Sequence, residues 1–304
     1  MANSIQKITP FFWFGNQAEE AVNFYTSIFK NSRVEDITRY DEVSAQVSNR
    51  PVGSAITVSF QLEGQKFVAL NGGPIFKFTP AISFFVTCKT EDEVQTLWDK
   101  LSDGGIERMP LGEYPFSKKY GWIEDTFGIS WQLILSEGEI EQKIIPSMLF
   151  VGNVSGKAGE AIDFYTSIFD NSKVISTLPY EAGQEPEKQG TLAYADFKLE
   201  GQLFAAMDSA REHNFTFNEA ISFMVNCNTQ KDVDYFWEKL SAVPEAEQCG
   251  WLKDKYGVSW QIVPTALFEL LNDPDPAKAQ RVTEAMLQMK KIDINALRQV
   301  RGQQ

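Results

Sequence analysis

The chain has 304 residues, 43% of them hydrophobic and 13% aromatic, with a formal net charge of -13 and a pI near 4.7. That acidity opposes nonspecific binding to nucleic acid or to anionic membranes, and the modest Gly and Pro content excludes fibrous or disordered classes. Three cysteines with no close pair and no Cys/His spacing argue against a disulfide framework or a zinc site.

Ile8 to Phe14 is a short apolar run closed by Gly15 and predicts a strand. Asn16 with Glu19 reads as a capping box, and Ala21, Phe24, Tyr25, Ile28 and Phe29 fall on one helix face. Arg33 to Tyr40, Ser54 to Leu62 and Lys66 to Leu70 read as strands, the last two hinged at Glu63-Gly64. Ala81 to Cys88 is a further strand. Thr90 with Glu93 is a second capping box before Val94, Leu97, Trp98 and Leu101, and Gly104-Gly105 ends that helix. Gly121 to Leu135 supplies a closing hairpin turned at Gly128, and Ser136 to Lys143 is a polar linker.

The same order then returns. Phe24-Tyr25-Thr26-Ser27-Ile28-Phe29 recurs as Phe164-Tyr165-Thr166-Ser167-Ile168-Phe169, Leu62-Glu63-Gly64-Gln65 as Leu199-Glu200-Gly201-Gln202, Ala81-Ile82-Ser83-Phe84 as Ala220-Ile221-Ser222-Phe223, and Ser130-Trp131-Gln132 as Ser259-Trp260-Gln261. Four blocks in one order mean an internal duplication. The copies differ by a longer loop at Gly152 to Gly159 and by about ten residues around Arg108 to Tyr114 that the second copy lacks, both of which we read as loop changes. We expect domains at 1–137 and 144–264 and a helical extension at 265–304, whose Val282, Ala285, Met286 and Met289 form a packing stripe.

Pro10-Phe11-Phe12-Trp13-Phe14-Gly15, Ala69-Leu70-Asn71-Gly72-Gly73-Pro74 and Asp125-Thr126-Phe127-Gly128 before Trp131-Gln132 resemble the PhnB-like, demethylubiquinone methyltransferase-like branch of the vicinal-oxygen-chelate superfamily. The resemblance spans nearly the whole chain. It implies an α+β fold: a tandem repeat of paired βαβββ modules, with curved mixed sheets, helices on the convex face and concave clefts for ligand. It also implies a pseudo-dimer within the chain and allows a homodimer. Whether the module halves pair within a copy or across copies stays open at this point.

Metal-dependent members of the superfamily place their ligands at strand positions that fall near Pro10 and Pro146, Ala81 and Ala220, Asn71 and Asp208, and Gln132 and Gln261. So few donors do not make a divalent-metal site, and we expect neither metal nor cofactor. Strand alternation from the ligand positions puts Phe12, Phe14, Ser83, Phe85 and Gln132 at the first cleft, and Met148, Phe150, Asp208, Ser222 and Gln261 at the second, with Asn71 at a strand end. An apolar wall with a few amide and hydroxyl groups suits small-molecule recognition. His213, alone in a polar loop, has no paired nucleophile. Asn71-Gly72-Gly73 reads as a turn, not a phosphate loop.

The expected function is a metal-free, small-molecule binding protein. The alternative is an enzyme of the same superfamily: a metal-dependent lyase, isomerase or dioxygenase, or the methyltransferase that the branch label suggests. No apolar run reaches the ~20 residues of a membrane span, and Met1 to Pro10 lacks the apolar core of a signal peptide, so we expect a cytoplasmic protein.

Overall fold

A computed structural model describes residues 6–40, 42, 45–46 and 49–302. Its strands fall into two mixed sheets of seven and eight strands. The backbone divides into two compact units, Phe11–Ile221 on one hand, and the residues up to Pro10 with the chain from Ser222 onward on the other. Among the described residues no helix is long and apolar enough to cross a membrane.

The larger unit begins within β1 (Ile8–Phe14), followed by α1 (Ala18–Ile28), β2 (Arg33–Arg39), β3 (Ala55–Leu62) and β4 (Gln65–Asn71). β1 runs parallel to β4, and β4, β3 and β2 follow as an antiparallel meander. The expected capping box at Asn16 does not form. Gln17 is the N-cap without a side-chain bond, and Asn71 at the end of β4 accepts the Ala18 amide at 2.9 Å instead. The parallel register Phe14↔Asn71 brings that side chain to the helix start.

Next come β5 (Ile82–Cys88), α2 (Glu91–Leu101), β6 (Ile106–Tyr114), β7 (Ser117–Glu124) and β8 (Ser130–Leu135), then β9 (Ile144–Phe150), α3 (Ala158–Ile168), β10 (Lys173–Pro179), β11 (Leu192–Leu199) and β12 (Gln202–Asp208). These strands make the eight-stranded sheet in the order β10-β11-β12-β9-β5-β8-β7-β6. Its centre is an antiparallel pair from Ile82↔Met148 to Val86↔Ile144, so the second half of the first copy is joined to the first half of the second. Residues 136–143 only have to step over β5, about 10 Å, against a reach of roughly 26 Å for eight residues. A linker this short therefore permits pairing across copies.

Thr90 caps α2 as expected, accepting the Glu93 amide at 3.1 Å. The return bond goes to Lys89 at 2.8 Å rather than to the cap itself, while Lys143 holds the other carboxylate oxygen at 2.5 Å. The main difference from expectation is β6. Residues 106–114 form a full strand paired with β7, not a loop.

The smaller unit carries β13 (Ile221–Cys227), α4 (Gln230–Leu240), β14 (Trp251–Lys253), β15 (Ser259–Pro264) and the tail helices α5 (Ala266–Leu271), α6 (Pro276–Leu287) and α7 (Ile294–Gly302). β13 and β15 are parallel, with β14 antiparallel outside. α4 has the full capping box, Thr229 with Asp232. Where the first copy has β6, the tail takes over part of the pairing. Cys249 donates to the Met289 carbonyl at 2.8 Å and Gly250 to that of Lys290 at 2.7 Å.

Both copies lock their closing hairpin with a buried aspartate. Asp125 accepts Phe127 and Ile129 amides on one oxygen, and the Trp131 indole (2.8 Å) and Tyr25 hydroxyl (2.7 Å) on the other. Asp254 repeats the pattern with Tyr256, Val258 and Trp260. Burial pushes the Asp125 carboxyl up to about 6, against the pull of these donors. The repeated aspartate, glycine and Ser-Trp-Gln spacing is thus a folding device. Cys88 and Cys227 are buried free thiols pushed up to about 12 by desolvation.

Candidate functional site

On β5 and β8 the outward alternation selects Phe85, Gln132 and Ile134 for one face, because Phe84 and Trp131 are buried completely on the other. β7 adds Tyr120, and the cross-copy partners add Ile145, Tyr194 and Met207. Together they surround a cavity of about 980 Å³ in the eight-stranded sheet, inside the larger unit. The hairpin tip of β6 and β7 stands over it: Tyr114 and Phe116 stack at 5.6 Å, and each meets Tyr120 edge-on, at 5.4 and 5.0 Å. Phe116 is 60% exposed, which is unusual for a ring of its size and places it at the mouth.

A hydrogen-bond relay crosses the floor. The Tyr120 hydroxyl donates to Gln132 Oε1 at 2.6 Å, and Gln132 Nε2 donates to Ser83 Oγ at 2.8 Å. Both ends of the amide are engaged, which fixes its orientation. Across the strand pair from Ser83 lies Ser147, whose fully buried hydroxyl has no hydrogen-bond partner among the described residues. Desolvation raises the Tyr120 hydroxyl above its ordinary value, so it stays protonated and keeps donating. Tyr194 donates to Asp196, and its ring meets Phe85 edge-on at 5.8 Å.

The sequence-derived candidates divide sharply. Phe85 and Gln132 line the cavity, and Ser83 lies directly behind Gln132. Phe12 and Phe14 do not line it. Phe12 is fully buried against Phe60, Phe67 and Phe84, and Phe14 packs on Phe78 at 4.9 Å. Met148 and Phe150 are likewise core residues, Phe150 against Phe217 at 5.1 Å. The cause is a choice of face: β9 presents Ile145 to the cavity, and Pro146, Met148 and Phe150 alternate away from it. Ser222 and Gln261 repeat the Ser83–Gln132 bond at 2.9 Å in the smaller unit. The sequence reading missed Tyr114, Phe116, Tyr120 and Tyr194. Alternation outward from Gln132 and Trp122 along β7 was the one signal that would have found Tyr120.

Asn71 and Asp208 are helix anchors. Asn71 caps α1 and donates to the Ala55 carbonyl at 2.9 Å. Asp208 accepts the Gly156 (2.7 Å), Ala158 (3.1 Å) and Leu192 (2.9 Å) amides at the start of α3 and β11. Gly72 has a packing reason, since a Cβ there would sit 2.1 Å from the Trp13 indole, which donates to the Gly73 carbonyl. We expect Asn71→Ala to cost about 1 kcal/mol, as for a neutral cap. Asp208→Ala should cost about 2–4 kcal/mol, because three amides lose a charged acceptor. Urea denaturation of the two variants measures the difference.

The residues do not fit the metal that the resemblance brings with it. Pro10, Pro146, Ala81 and Ala220 have no donors, Asn71 and Asp208 are committed to backbone amides, and both amide ends of Gln132 are engaged. Among the described residues no group of three or more His, Cys, Asp or Glu side chains converges. His213 contacts Ser209 Oγ at 3.0 Å, but the Ser209 hydroxyl lies 3.1 Å from Glu187, so the carboxylate bonds the serine and not the histidine. Desolvation holds the imidazole below its ordinary value, against the pull of the nearby Glu187 carboxylate.

Comparison with known proteins agrees with this architecture. A family model described as 3-demethylubiquinone-9 3-methyltransferase matches residues 6–134 and again 142–263. A Bacillus cereus PhnB protein is 48% identical over 43% of this chain and 100% of its own, with a TM-score of 0.41. A Staphylococcus aureus protein is 36% identical over 44% of this chain and 99% of its own, with a TM-score of 0.19. Glyoxalase I from Zea mays shares only 11% identity but aligns over 88% of this chain and 95% of its own at a TM-score of 0.52, a likeness of fold alone. No curated protein matches the chain. With both copies matched in tandem, the chain belongs to the 3-demethylubiquinone-9 3-methyltransferase (PhnB-like) family, on a duplicated vicinal-oxygen-chelate fold of the glyoxalase type.

Proposed function

We propose that the protein binds a small, partly aromatic molecule in the cavity of the eight-stranded sheet and holds it without a metal ion. The observation that carries this reading is the cavity itself: about 980 Å³, walled by aromatic side chains, with one oriented amide at its floor. Such a volume accommodates a drug-sized ligand, and few but fixed polar groups are what orient one. Among the described residues no group of His, Cys, Asp or Glu side chains converges as a divalent ion needs, and both ends of the Gln132 amide are engaged, so we read the site's chemistry as recognition.

Thermal unfolding against a panel of aromatic metabolites tests this. A ligand present at 100 times its Kd adds about 2.7 kcal/mol to stability, and we expect a saturable rise in Tm that Met207→Trp, which narrows the cavity, diminishes. The family description favours a second reading, methyl transfer. S-adenosylmethionine belongs in the same panel: a Tm rise with it, followed by transfer of its methyl group to a second compound, would replace the binding reading.

A further inference from the structure

The proposal rests on the binding reading above and names the class of ligand. Four tyrosines line the cavity: Tyr114, Tyr120, Tyr180 and Tyr194. Each has already placed its hydroxyl hydrogen on the protein. Tyr114 donates to the Pro110 carbonyl at 2.9 Å, Tyr120 to Gln132 Oε1 at 2.6 Å, Tyr180 to the Asp208 carbonyl at 3.2 Å, and Tyr194 to Asp196. To a ligand these hydroxyls present lone pairs, not O–H donors. The ring faces carry the negative side of their quadrupole, and a hydroxyl that donates to a carboxylate, as Tyr194 does, makes its ring more electron-rich.

Formal charge points the same way. The ionisable side chains around the cavity, apart from the tyrosines, are Glu113, Lys118 and Glu137. Lys118 pairs with Glu137 at 2.6 Å and also feels Glu113, so one lysine faces two carboxylates at the rim, in a chain of net charge -13. Among the described residues that line the cavity, Lys118 is the one cation, and it already faces carboxylates. From the committed hydroxyls, the aromatic walls and the acidic rim, we infer that the cavity takes an organic cation, a quaternary or protonated nitrogen carried on a flat apolar frame. Phe85, Phe116 and the tyrosine rings supply the cation–π faces, and the rim carboxylates raise the local concentration of the cation.

Three isosteres separate charge from shape: N-methylquinolinium, 1-methylnaphthalene and 1-naphthoate, titrated calorimetrically into the full chain at pH 7.5. We expect the cation to bind at least tenfold more tightly than the neutral hydrocarbon, with the carboxylate weakest. Tyr194→Phe keeps the ring and removes the hydroxyl that Asp196 polarises. It should weaken the cation about threefold and leave 1-methylnaphthalene unchanged, with an unaltered Tm confirming that the fold is intact. Equal or tighter binding of the neutral or anionic isostere would overturn the cation inference while the binding reading stands. No binding by any of the three, with no Tm response to the metabolite panel, would overturn both.

Discussion

Trp131→Ala is expected to remove about 4–5 kcal/mol of stability, the largest effect of any single substitution considered. The indole is fully buried and touches Tyr25, Phe29 and Phe84 at ring distances of 5.3–5.6 Å. Truncating a buried Trp costs about 3–5 kcal/mol through lost transfer energy and the cavity left behind. Here the change also strips a donor from Asp125, a buried carboxylate. Urea denaturation at pH 7 measures the loss; a value below 2 kcal/mol would mean the Asp125–Trp131 lock is not what holds the hairpin.

The same lock has a pH signature. Asp125 titrates near 6 in the folded chain against an ordinary 3.8, so the folded state binds the extra proton between those values. Its contribution to stability is therefore complete below about pH 3.8 and is lost as the pH rises through 6. Asp125→Asn should remove this component, so that the wild type loses stability relative to the variant across that window. Trp131→Phe should move the falling limb to higher pH, because the missing indole donor was one of the groups drawing the carboxyl down.

Cutting the chain after Leu287 should be nearly as damaging, on the order of 3–5 kcal/mol. The lost segment buries Ile292, Ile294 and Leu297, each contributing about 1.5–3 kcal/mol before the ordering entropy of the tail is set against it. It also removes the carbonyls that satisfy Cys249 and Gly250 and the bonds between Gln230 and Ile292 and Ile294. In the first copy the residue at the matching place, Tyr120, pairs with Gly112 of β6. The tail thus substitutes for a strand that the second copy lacks. A truncated chain whose Tm falls by less than two degrees would show that the tail is merely attached.

Much of this was legible in the sequence, and the failures have specific causes. Repeated blocks and apolar periodicity located β1, β5, α1 and α2 to within a residue or two, and the closing hairpin except for the first four residues of β7. Alternation placed Ser83, Phe85 and Gln132 on one face, because polar residues there break the apolar pattern. In β9 both faces are apolar, so nothing local distinguished Met148 from Ile145, and the choice went to the face turned from the cavity, whereas Phe12 and Phe14 lie on β1, a strand of the other sheet. β6 was hidden by Pro110 and Gly112, which break any period-2 pattern in Ile106–Tyr114. Pairing across copies was invisible because two equivalent halves offer the same edge to each other. Tyr194 and Met207 could not be assigned to the site without knowing it.

We propose that the cavity between Phe85, Tyr120 and Tyr194 is a small-molecule binding site. Titration of the full chain with the neutral fluorescent probe N-phenyl-1-naphthylamine tests it most directly, in wild type and in Met207→Trp. We expect saturable enhancement at one probe per chain, weakened at least tenfold by the added indole with Tm unchanged. Enhancement that is indifferent to Met207→Trp, or no saturable enhancement at all, would contradict it.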